Sequence, residues 1–88
     1  MLKGYKRKYD MLNGHGWIYE FKNGYGASVI KHDASYGGKQ GLYEIAVLDS
    51  KGEFCYNTDI TDDVVGHATE ETVYETLDRI KTLWIYFG

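Results

Sequence analysis

From Leu42 to Asp49 the chain reads Leu-Tyr-Glu-Ile-Ala-Val-Leu-Asp, with Tyr43, Ile45 and Val47 on one side of an extended backbone and Leu42, Ala46 and Leu48 on the other. Apolar groups on both sides predict an interior strand, bounded by Gly-Gly-Lys-Gln-Gly before it and Asp-Ser-Lys-Gly after it. Upstream, Asn13-Gly14-His15-Gly16 reads as a turn, because Asn and Gly accept the positive φ of tight reversals. Trp17-Ile18-Tyr19-Glu20-Phe21 then alternates, putting its aromatics on one face. Asn23-Gly24 between two alternating runs is a strong hairpin signal, and Tyr25 to Lys31 is the returning strand. Its small residues, Gly26, Ala27 and Ser28, leave room for the aromatics of a neighbour. Beyond the central strand, Ser50-Lys51-Gly52 turns the chain into Glu53 to Thr58, where Phe54 and Tyr56 share a face opposite Cys55. These runs predict an antiparallel meander of about four strands.

The period then changes. Thr69 is placed as a helix cap with Glu70 and Glu71 in the first turn, and Val73, Leu77, Ile80 and Trp84 recur at helical spacing. This predicts one amphipathic helix over about residues 70–83, its stripe packed on an open face of the sheet. The class is therefore α+β, in a single domain, because 88 residues cannot close two cores. Met1 to Leu12 fits neither period and reads as a mobile basic arm or an edge strand. Leu83 to Phe87 is strongly apolar and needs a cover, as a short fifth strand or as a homodimer contact.

Composition narrows the class further. A hydrophobic fraction of 43 % and an aromatic fraction of 16 % are too high for a disordered chain. Most of the aromatics are tyrosines, whose rings pack while their hydroxyls stay wet, as half-buried sheet faces and binding surfaces both require. A lone cysteine, Cys55, excludes an internal disulfide and with it the stapled secreted class; in mid-strand it reads as an inert core group. No basic-then-apolar leader and no apolar run near the roughly 20 residues that cross a bilayer is present, so the expectation is a soluble cytoplasmic chain without a membrane partner.

The net charge of −3 hides a split: residues 1–31 carry six Lys or Arg against two acids, and residues 32–88 carry four against eleven. Lys3, Lys6, Arg7 and Lys8 lie beside Tyr5 and Tyr9, a composition that binds single-stranded nucleic acid, although four bases on so short an arm are better explained by a solvated terminus. At the other end Glu71, Glu75 and Asp78 form an acidic stripe opposite the apolar one.

Two stretches hold groups that could do chemistry. His32 to Gly41 contains His32, Asp33, Ser35 and Lys39 with Tyr36 at its tip, and three readings stay open: a plain hairpin loop, a partner-contacting loop and an active-site loop. A phosphate-binding loop is excluded, because Gly37-Gly38-Lys39-Gln40 lacks the hydroxyl after the lysine and runs into a strand. In Asp59 to Gly66, Asp59, Asp62 and Asp63 crowd beside Asn57, Thr58 and Thr61, oxygens that a hard cation would use. The simpler reading is a single helical turn capped by Thr61, with Asp62 and Asp63 at its positive end, Val64 and Val65 packed inward and Gly66 ending it. His67 is then a wet loop residue. No cofactor fingerprint is present, and no metal is expected.

Three phrases together carry a resemblance: Asn23 to Val29; Ser35 to Gly38 with Leu42 to Val47; and Ile60 to Gly66. Over roughly residues 21–82 the chain resembles a family of small proteins encoded by tailed bacteriophages and prophages, which has a proline where Asp59 stands here. The resemblance implies a phage-derived protein in a bacterial cytoplasm, with no family activity to transfer. By analogy of size and charge with anti-CRISPR and other anti-defence inhibitors, the leading expectation is a non-enzymatic protein that occupies a basic host surface. Tyr36, Asp59, Asp62, Asp63, Glu71, Glu75 and Asp78 would make that contact. The alternatives are a nucleic-acid-binding accessory protein using Lys3, Lys6, Arg7 and Lys8, and a small enzyme whose site forms across a homodimer from His32, Asp33 and Asp62.

Overall fold

Five strands form, each paired antiparallel with its neighbour in sequence. A computed structural model describes residues 2–56, 58, 60 and 64–83. The strands are β1 (Arg7–Met11), β2 (Gly14–Glu20), β3 (Gly26–Lys31), β4 (Tyr43–Leu48) and β5 (Val65–Ala68), in the spatial order β1-β2-β3-β4-β5. A short 3₁₀ turn, Gly38–Gln40, lies between β3 and β4, and the helix α1 spans Glu70–Lys81. The expected α+β class and the C-terminal helix on a meander are observed, with five strands in place of about four.

Register explains where the core sits. Trp17 pairs with Val29 and Val29 with Ile45, while Tyr19 pairs with Ala27 and Ala27 with Val47. Paired residues share a face, so one face of the sheet is aromatic and aliphatic from β2 to β4. Val73, Leu77 and Ile80 of α1 are buried in the same cluster, as the helical spacing predicted. Trp84, the next position of that stripe, and the rest of the tail lie outside the described residues. Leu2 is also in this cluster at 2 % exposure, and Lys3 donates its backbone N–H to the Tyr74 hydroxyl at 2.9 Å. Of the two readings of the first twelve residues, the edge strand is the one observed, as β1.

The helix starts where it was expected. Thr69 Oγ1 accepts the backbone N–H of Thr72 at 3.2 Å, and Glu70 and Glu71 stand in the first turn, where the helix dipole favours acids.

Three expectations need correction. The reversal placed at Asn13 to Gly16 is made by Leu12 and Asn13, both at positive φ (43° and 61°), and Gly14, His15 and Gly16 belong to β2. Gly14 and Gly16 are there for close packing: a Cβ on Gly14 would stand 1.9 Å from the Lys31 carbonyl oxygen, and one on Gly16 would stand 2.3 Å from Cζ of Tyr9. Of the strand expected over Glu53 to Thr58, the described residues form a single bridge, between Leu48 and Phe54. Asp49 draws that segment into a tight turn, accepting the N–H groups of Lys51 and Glu53 on Oδ1 at 2.8 and 3.0 Å.

The vacant flank of β4 is filled by β5, from a stretch read as the end of a helical turn followed by a wet loop. Tyr43 pairs with Ala68 and Ile45 with Val65, so β5 holds one more residue than β4 over the same span. The bulge places His67 at a φ of 51° and destroys the alternation that would have announced a strand. Thr61, Asp62 and Asp63, the other members of the expected turn, lie outside the described residues.

Candidate functional site

The outer side of α1 is a charged, exposed surface built by a single element. With Val73, Leu77 and Ile80 held in the core, Glu71, Glu75 and Asp78 face solvent and stand one above another at i, i+4 and i+7. Asp78 is 3.9 Å from Lys81, a long and exposed ion pair that leaves most of the stripe's charge uncompensated.

The C-terminal end of this helix is fixed by a residue from the sheet. Asn23 Nδ2 donates to the carbonyl oxygens of Ile80, Lys81 and Leu83 at 2.7, 3.1 and 3.1 Å, and its Oδ1 accepts the N–H of Tyr25 at 3.1 Å. One amide therefore closes the β2–β3 hairpin and caps the helix end. Sequence reasoning found the hairpin and missed the cap, because an Asn-Gly pair explains itself locally and its helical partners are remote in sequence.

Of the seven residues expected to share a partner contact, the structure brings Glu71, Glu75 and Asp78 together and places Tyr36 elsewhere. The Tyr36 N–H donates to Glu44 Oε1 at 3.0 Å, and Glu44 lies between Tyr43 and Ile45 on the sheet face that turns away from α1. Tyr36 is 61 % exposed and lies across Gly66, where a Cβ would stand 2.9 Å from its own. Asp59, Asp62 and Asp63 lie outside the described residues.

In the loop after β3 the polar groups build the loop itself. Ser35 Oγ accepts the His32 N–H and donates to the His32 carbonyl, both at 3.0 Å, while His32 Nδ1 accepts the Ala34 N–H at 3.0 Å. Asp33 accepts from Asn13 Nδ2 at 2.9 Å, which ties the loop to the β1–β2 turn. His32, Asp33 and Ser35 are thus neighbours engaged with backbone and with Asn13. Among the described residues no group of three His, Cys, Asp or Glu is arranged to hold a metal ion.

The basic residues of the first strand are dispersed. Lys6 pairs with Glu20 at 2.7 Å, the Arg7 guanidinium lies 6.0 Å from the Tyr9 ring centroid, and Lys8 Nζ lies 5.8 Å from that of Trp17. Tyr5 packs edge-on against Tyr19 with centroids 6.4 Å apart. Both tyrosines of the segment thus have protein on at least one side, Tyr5 against Tyr19 and Tyr9 over Gly16.

Tyr19, at 2 % exposure, donates its hydroxyl to the Lys3 carbonyl at 2.9 Å. Burial, and then the neighbouring phenols of Tyr74, Tyr5 and Tyr43 and the Glu70 carboxylate, push its pKa up to about 12. Among the described residues no helix is long and apolar enough to cross a membrane. Comparison of the chain with protein-family models, with curated proteins and with solved structures gives no match.

Proposed function

We propose that this chain is a non-enzymatic binding protein that engages a basic surface on another protein through the outer face of α1. The observation that carries the reading is the exposed Glu71, Glu75 and Asp78 stripe on a helix anchored at both ends, by Thr69 at its start and Asn23 at its finish. A helix held in that way presents its charges in a fixed array, so little side-chain and backbone order remains to be lost on contact. Carboxylates in such a row suit a surface built for phosphates. In a phage-encoded chain the partner would be a host protein, and the outcome of binding would be occupancy of its nucleic-acid or nucleotide site.

The test is affinity capture from a bacterial lysate with the wild-type chain and with the Glu71→Ala, Glu75→Ala, Asp78→Ala triple variant, followed by a binding titration against the identified protein. The reading expects a partner with a basic face, binding that weakens with added salt, and loss of at least about tenfold in affinity in a triple variant that remains folded. Full retention of binding by that variant would overturn it.

A further inference from the structure

The free edge of β1 is self-complementary, and we propose that two copies of this chain associate by pairing their β1 strands antiparallel about Tyr9. The two-residue reversal at Leu12 and Asn13, with both φ values positive, closes on Met11 and Gly14, and the closing pair of such a hairpin is hydrogen-bonded. Hydrogen-bonded pairs alternate along an antiparallel ladder, so Arg7, Tyr9 and Met11 direct their N–H and C=O groups to β2. Lys8 and Asp10 direct theirs away from the sheet. Because β1 is the first strand in the spatial order, those groups meet no further strand among the described residues.

Side-chain charge then selects one register. A twofold axis at Tyr9 sets Lys8 opposite Asp10 of the second copy, and Asp10 opposite its Lys8, as hydrogen-bonded pairs with their side chains on one face. Axes at Lys8 or at Asp10 would set like charges directly opposite each other, which is destabilising. Among the described residues Lys8 forms no ion pair, and the Asp10 side chain is 89 % exposed while contacting His15 Nδ1 at 2.8 Å. Tyr9, at the axis, has its ring over Gly16 of its own β2 and so leaves the edge clear for a second strand. The product is a ten-stranded sheet with both copies of α1 on the same side, since residues directly opposite in a ladder share a face. The acidic stripe would be presented twice, although the pairing itself does not depend on what the stripe binds.

Sedimentation velocity of the full chain from about 1 μM to about 1 mM tests the proposal, the range in which a small edge-to-edge contact is populated. A monomer–dimer equilibrium is expected, with Lys8→Asp and Asp10→Lys each weakening it at least about tenfold and the double swap Lys8→Asp, Asp10→Lys restoring it. Circular dichroism establishes that each variant is folded. As a second measurement, Tyr9→Cys in a Cys55→Ser background should cross-link to itself on mild oxidation, because the residue on the axis lies directly opposite its own copy as a non-hydrogen-bonded pair, at disulfide range. A chain that is monomeric throughout the range, dimerisation indifferent to both single charge changes, a folded double swap that stays monomeric, or a Tyr9→Cys chain that does not cross-link would each overturn it.

Discussion

Asn23 and Ile80 are 57 residues apart in the chain and 2.7 Å apart in the fold, with the Asn23 amide donating to the Ile80 carbonyl oxygen. The same amide reaches the carbonyls of Lys81 and Leu83, so one side chain serves much of the exposed C-terminal turn of α1. Helix and sheet are joined at that point by a polar contact that neither element could satisfy alone. Asn23→Ala should lower stability by about 1–2 kcal/mol, and Asn23→Asp by about 2–3 kcal/mol, because a carboxylate sets oxygen against oxygen at the negative end of the helix. Urea unfolding of the two variants would give the order; equal stability of Asn23→Asp and wild type would show the cap to be without energetic effect.

Leu12 takes a φ of 43° while the residue is 58 % exposed, so it carries backbone strain and gains little burial in return. Leu12→Asn supplies a side chain that tolerates the left-handed region and should raise stability by about 0.5–1 kcal/mol. A thermal melt several degrees higher is the expected result.

Gly14 has the opposite sensitivity. Its backbone has an ordinary φ, but a methyl group there would stand 1.9 Å from the Lys31 carbonyl oxygen, and a backbone atom in a paired strand has nowhere to move. Gly14→Ala should cost about 2–4 kcal/mol by forcing β2 and β3 apart locally. The equilibrium unfolding midpoint measures it, and loss of amide-exchange protection at Lys31 would locate it.

The Tyr19 hydroxyl makes stability depend on alkaline pH. Its folded pKa, raised to about 12 by burial, exceeds the value of 10.0 expected when the chain is unfolded, so the folded state holds the proton more tightly. The stability this contributes is complete below pH 10 and is lost as pH rises toward 12. Urea midpoints measured across that window should fall for wild type and fall less for Tyr19→Phe, in which the ionisable group is gone.

The elements with an uninterrupted period were legible in the sequence. α1 is marked by Thr69 and by the spacing of Val73, Leu77 and Ile80, β4 by apolar groups on both sides, and the β2–β3 hairpin by Asn23-Gly24. β5 was hidden because its pattern is broken by Gly66 and by the extra residue at His67, and because pairing with β4 rather than local propensity makes it a strand. The acidic side of α1 could be read from spacing alone. The separation of Tyr36 from that side could not, since it depends on a loop bonded to Glu44 and folded across Gly66.

The neighbour-to-neighbour strand order also confines every pairing to strands that are consecutive in the chain. Every ladder closes over a modest length of chain, so hairpins can zip in turn from the first strand onward with little entropic penalty for closure. α1, which follows all five strands in the chain, packs into the cluster that holds Trp17, Tyr19, Val29 and Ile45. A chain cut before Glu70 should therefore present that aromatic and aliphatic face to water and associate through it.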